Sequence, residues 1–187
     1  MTADDILKLK AVSLYILQKC GEIDFIHLFK ILYFAERSHY ASYGKHLVKD
    51  TFCALERGPV PSFLYDAVKM AIGSISAQPG SALYDFSKAF GPGEAECRYM
   101  VRAVEEPDMD ELSKAEIISL DASIKENLPK TARQLSEESH DLAWAKAWKV
   151  RHASVMDPLS IAMAGGATSE FLEYLKEQEL VEKYLQN

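Results

Sequence analysis

The chain has 187 residues, 48% hydrophobic and 26% charged, with a formal net charge of −7. That is room for one ordinary domain with a buried core, and the apolar content excludes a disordered chain. The acidic excess disfavours a protein that grips nucleic acid through its phosphates.

Taken in chain order, the helical signals come first. Leu7, Ala11, Leu14 and Leu17 share one face of a helix that Gly21 stops. Asp24 suits the N-cap of a second helix, with Ile23 and Leu28 placed for a hydrophobic staple. Phe25, Leu28, Phe29, Leu32 and Tyr33 form a broad apolar stripe, so this helix is expected at the centre of the core. Gly44 breaks it. Thr51 to Arg57 alternates as a short strand, Phe52 and Ala54 on one side, Cys53 and Leu55 on the other. Gly58, Pro59 and Pro61 are then expected to make a rigid turn. Pro61 opens a further helix whose face is Leu64, Ala67, Val68, Ala71, Ile72 and Ile75.

The stretch 78–93 is rich in Gly, Pro and Ser and reads as loop with one helical turn around Tyr84. Residues 96–104 alternate as a second strand, expected to pair with 51–57 so that both satisfy their backbones. Ser113-Lys-Ala-Glu116 and Thr131-Ala-Arg-Gln134 are capping boxes that open two more helices, and Pro129 ends the first of these. Trp144 and Trp148 are one helical turn apart. Asp157-Pro158 starts a short helix that Gly165-Gly166 stops, and a last helix begins near Ser169 with Phe171, Tyr174, Leu175, Gln178, Val181 and Leu185 on its face. The expected fold is mainly α (α+β): about seven helices with a small two- or three-stranded antiparallel sheet. A single domain is expected over 1–187, its core at about 5–150, with a helical extension over 151–187.

The charge is uneven. Residues 1–104 carry 12 basic and 11 acidic side chains, residues 105–141 carry 4 and 11, and residues 142–187 carry 5 and 6. The excess therefore lies in Glu105–Asp141, either a solvated helix face or a docking surface for a basic partner. The first ten residues contain two acids and no basic segment before an apolar core, so no signal peptide is expected. No run approaches a membrane span, and three widely spaced cysteines suit reduced thiols in a cytoplasm.

Chemistry finds little footing. The histidines His27, His39, His46, His140 and His152 show no metal-ligand spacing, and Cys20, Cys53 and Cys97 show no nucleophile signature. Gly91-Pro92-Gly93 and Gly165-Gly166 match no phosphate-binding loop. The expectation is no enzyme, no metal and no cofactor. A helix-turn-helix around Gly21-Glu22 would place Lys30, Glu36 and Arg37 on its second helix, a poor basic recognition surface.

One set of blocks is more specific. Leu28-Phe29-Lys30-Ile31-Leu32-Tyr33-Phe34-Ala35-Glu36-Arg37 is followed by Tyr43-Gly44-Lys45, Asp50-Thr51-Phe52 and Gly58-Pro59-Val60-Pro61. Later come Leu112-Ser113, Leu135-Ser136 and Ser139-His140-Asp141-Leu142-Ala143-Trp144. In order and spacing, over roughly residues 5–150, this resembles the SocA-like antitoxin (Panacea) family of toxin–antitoxin systems. The resemblance implies a mostly helical domain that binds and neutralises a toxin encoded by an adjacent gene. One relative is an adaptor that delivers its toxin to a protease, and related domains occur in phage-associated proteins. The partner-binding residues it suggests are Lys30, Tyr33, Glu36, Arg57, Gly58, Pro59, Pro61, His140 and Trp144. The proline turn can instead simply set a strand-to-helix angle, and Tyr33, His140 and Trp144 have the same ambiguity, Trp144 as a core residue. A mobile-element-linked DNA-binding regulator is the alternative function, and nucleic acid binding is the less favoured of the two.

Overall fold

The run of apolar residues between Leu28 and Phe34 leaves a helix no face it can give to water, so everything else must pack around it. The computed structural model, which describes residues 1–94 and 99–185, shows how. The central helix α2 (Phe25–Tyr43) is capped by Asp24, whose Oδ1 accepts the Ile26 and His27 amides, and it ends at left-handed Gly44. Every residue from Leu28 to Glu36 is buried, Lys30 and Glu36 included. Around α2 lie α1 (Ala3–Cys20), α5 (Lys114–Asn127), α6 (Ala132–Glu138) and α8 (Pro158–Ala164). The remaining helices are α3 (Ser62–Ala71), α4 (Ala82–Ser87), α7 (Leu142–Val150) and α9 (Ser169–Leu185). The described residues thus hold nine α-helices where about seven were expected, and the fold is mainly α with a small antiparallel sheet.

The strands pair differently from expectation. β2 (Phe52–Leu55) does not pair with the later strand. It folds back on β3 (Gly58–Pro61) through a two-residue loop, so Gly58-Pro59-Val60-Pro61 is a strand and not a turn. The prolines tolerate this because they sit opposite Ala54 and Phe52, whose backbone groups point the other way. There Ala54 N–H donates to Ser154 O (2.9 Å) and Met156 N–H to Phe52 O (2.8 Å). The missing proline N–H groups therefore fall on the outer edge of the hairpin, the place where a strand can hold them. The later strand, β5 (Met100–Ala103), is the centre of a separate sheet between β1 (Ile23–Asp24) and β4 (Phe90–Pro92). Residues 96–98 of the expected strand lie outside the described residues.

The expected capping boxes at Ser113 and Thr131 both form. On α3 the buried face is Leu64, Ala67 and Val68, and the helix ends at Ala71, short of Ile75. On α9 the seam is Phe171, Leu172 and Leu175 against Tyr40 and Ala162, whereas Tyr174 and Val181 are exposed. Phe171 and Leu175 of the expected face lie against Gly44, and Leu172 takes the place expected for Tyr174. Gly165 lets the end of α8 approach α2: a Cβ there would collide with the Arg37 carbonyl and Ala41. No helix among the described residues is long and apolar enough to cross a membrane.

Candidate functional site

The residues singled out in the sequence converge on one region, the hairpin and the helix edges beneath it, but through two separate networks.

The first is centred on Lys30. Its side chain rises from α2 under the hairpin, and its Nζ donates to Pro59 O at 2.6 Å. Pro59 O is free to accept because it lies at a position of β3 that does not face β2. Lys30 is 2% exposed, and burial pushes its amine down to about 7. No carboxylate forms an ion pair with it, although twelve other pairs occur among the described residues, as with Lys8 and Glu116. Gly58, at φ +94°, closes over the lysine. A Cβ at this position would sit 3.0 Å from Lys30 Cε and Nζ and overlap Ser139 Oγ. A pocket of about 200 Å³ opens beside the same lysine, walled by Phe25, Phe29, Leu55, Val60 and Tyr65, with Glu56 and Arg57 at the hairpin tip.

The second network ties α2 to the start of α7. Asp141 Oδ1 caps α7 by accepting the Ala143 and Trp144 amides (3.0 and 3.1 Å). Its Oδ2 accepts the Tyr33 hydroxyl at 2.7 Å and Arg37 Nη1 at 2.9 Å. Burial and the Asp141 carboxylate both raise the Tyr33 phenol, so it remains a donor. Trp144 donates its indole N–H to Leu55 O (2.9 Å), fixing α7 to the hairpin. From there a ladder of rings runs along one edge: His140 on Trp144 (3.8 Å), Trp144 on Trp148 (5.2 Å) and His152 edge-on to Trp148 (4.2 Å). Burial lowers the His140 imidazole, the Glu56 backbone offsets part of this, and Nε2 makes no hydrogen bond of good geometry.

Glu36 belongs to neither network. Its Oε2 accepts the Leu47 and Val48 amides (2.8 and 3.1 Å), and its Oε1 pairs with His46 Nδ1 at 2.6 Å. It organises the loop that leaves α2. Burial disfavours the His46 cation, but the Glu36 carboxylate outweighs this and the imidazole is raised on balance.

Of the nine residues suggested as partner-binding, Lys30, Tyr33, Glu36, Gly58, Pro59 and Pro61 are buried, and Lys30 lines the pocket beside the hairpin. Arg57 is exposed and His140 and Trp144 are half-buried, so these three keep side-chain surface open to solvent. Sequence reasoning missed Ser139 as a neighbour of Lys30, and Asp50, which accepts the Phe63 and Leu64 amides at the start of α3 (both 3.0 Å). That helix begins after Pro61, which supplies no side-chain cap. An Asp twelve residues before a helix leaves no local signal. Among the described residues no three His, Cys, Asp or Glu side chains cluster as metal ligands.

The Lys30, hairpin and Asp141 networks all fall within one matched stretch: the model of the antitoxin SocA-like, Panacea domain family matches residues 28–145. The chain belongs to the SocA-like antitoxin family. Comparison with curated proteins gave no match, and neither did comparison with solved structures. The boundaries of the Panacea match are informative. It starts inside α2 at the first fully buried residue and ends just past Trp144, so it contains the lysine, the hairpin and the α7 cap that hold one another in place. It omits α1, which buries Leu9 and every residue from Ala11 to Leu17.

Proposed function

We propose that this protein is an antitoxin that neutralises a protein toxin by forming a direct complex with it. The observation that carries this reading is the Panacea match over more than half of the chain. Three buried or half-buried carboxylates of the matched region, Asp141, Glu36 and Asp50, are engaged in capping and bracing, which favours binding over catalysis as its mode of action. A regulator that reads DNA with α2 finds no support, since a helix buried from Leu28 to Glu36 has no free face for a groove.

The acidic stretch is an unsuitable free docking surface along much of its length. Glu105 pairs with Lys10 (3.0 Å), Glu116 with Lys8 (3.1 Å), and Asp121 accepts the Tyr15 hydroxyl (2.7 Å). These acids fasten α5 and the segment before it to α1. The hairpin tip and the ring ladder of α7 are the better candidates, since partly exposed Trp and Arg are favoured anchors of protein interfaces. The test is growth of cells expressing the adjacent open reading frame with and without this chain. Arrest by the neighbour and rescue by this chain, with co-purification of the two, is the expected result. A neighbour that is harmless or unbound overturns the reading.

A further inference from the structure

A lysine with 2% exposure and no ion pair among the described residues is an expensive feature. Its Nζ uses one N–H on Pro59 O, and no second acceptor lies within hydrogen-bond distance among the described residues. An ammonium there keeps N–H groups with nothing to bond, and an uncompensated buried charge costs several kcal/mol. The pocket beside it, about 200 Å³, is smaller than the usual small-molecule site and has room for about one side chain. Its wall is otherwise apolar: Phe25, Phe29, Leu55, Val60 and Tyr65. Glu56 and Arg57, both exposed at the hairpin tip, bring one charge of each sign to its rim, so the buried charge of the pocket is that of Lys30.

We propose that this pocket binds the C-terminal residue of the partner polypeptide, its apolar side chain against Phe29 and Val60 and its terminal carboxylate paired with Lys30. This rests on the antitoxin reading for the identity of the partner. A chain terminus is favoured over an acidic side chain because only a terminal residue carries an apolar group and a carboxylate on the same Cα. The site is one residue deep. Fixed donors that capture a terminal carboxylate are a recurrent way of recognising peptides.

The carboxylate would draw a proton onto Lys30, whose amine is held near 7. Binding therefore tightens as pH falls from 8.5 to 6, while the carboxylate stays ionised. The other charged or titratable groups facing the lysine are Glu56 and Arg57 from the hairpin, Tyr65 from α3, and His140 from the α6–α7 turn, with Glu137 and Asp141 behind it. Burial lowers the His140 imidazole from its ordinary value, and a His140→Gln variant separates its contribution.

The experiment titrates the full-length protein with acetyl-Gly-Gly-Leu bearing a free carboxylate, and with its C-terminal amide, following backbone amide resonances. The free acid should shift Phe29, Lys30, Leu55 and Val60 saturably, with a dissociation constant of order a millimolar for so small a ligand. The amide should bind at least about tenfold more weakly, and Lys30→Met should erase that difference without lowering the unfolding temperature. His140→Gln should keep the pH dependence. No saturable shift, equal binding of acid and amide, or an unaffected Lys30→Met protein would overturn the proposal. Growth rescue without peptide binding sinks the pocket and leaves the antitoxin reading intact, and peptide binding without rescue does the reverse.

Discussion

Gly58 and Lys30 are a matched pair, and each constrains the other. At φ +94° Gly58 has a backbone conformation that L side chains rarely adopt, and the space its Cβ would need is filled by Lys30 and Ser139. Gly58→Ala should cost about 2–4 kcal/mol, combining backbone strain with overpacking, and should lower the urea midpoint accordingly. An unchanged midpoint would mean the hairpin shifts freely. Lys30 acts in the opposite direction. Its folded-state value is about 7 against an ordinary 10.5, so between those limits the unfolded chain holds a proton that the folded one does not. Stability therefore rises with pH across that window, and the penalty is fully present below 7. Lys30→Met should stabilise the fold by about 1–4 kcal/mol at pH 6–7, and the gain should fade toward pH 10.5. A gain that does not depend on pH would show that packing, not charge, is what the lysine costs.

Among the elements, those read most easily were the ones that carry their own punctuation. α2, α5 and α6 were legible from Asp24, Ser113 and Thr131, side chains that cap within three residues of themselves. The hairpin was not legible, because two prolines in four residues argue against a strand unless the edge they face is known. They face the edge of β3 that is away from β2, while the outer side of β2 is taken by Ala153–Met156, about a hundred residues away. The candidate site was half legible: its residue types stood out, but their burial did not, because Lys30, Glu36 and Tyr33 are polar on a helix that turns out to have no solvent face. Asp50 shows the same limit. It was visible in the sequence only as one of the matched blocks, yet it supplies the N-terminal cap that Pro61 cannot give α3. Asp50→Ala should remove both cap bonds and leave the Phe63 and Leu64 amides without their acceptor, at about 1–3 kcal/mol. Hydrogen exchange should quicken in the first turn of α3 and not in α5, and equal quickening in both would assign Asp50 a different role.

For the whole molecule, the sequence that identifies the family and the sequence that makes the fold are not the same. The match runs from 28 to 145, yet Leu9, Val12, Leu14 and Ile16 of α1 are completely buried in the main core. So are Met156 and Ile161 within a few per cent, and the 153–156 segment closes the outer edge of β2. A fragment of residues 28–145 would expose α2 along the side α1 covers and open the hairpin sheet. Each large apolar side chain removed from the core forfeits about 1.5–3 kcal/mol, and losing several exceeds the ~5–15 kcal/mol by which a domain is stable. That fragment should show no cooperative thermal transition by circular dichroism. The chain cut after Thr168 should behave differently. It loses α9, whose buried contribution is a small second cluster of Leu172 and Leu175 on Tyr40 and Ala162, offset by the entropy of ordering the helix. A net loss of about 2 kcal/mol corresponds to a melting temperature lower by about 4–8 °C with cooperativity kept. If 28–145 melts cooperatively, α1 is an accessory and the core has been drawn too wide. If removing α9 abolishes the transition, the second cluster is part of the first, and the C-terminal helix belongs to the folding unit and not to its margin.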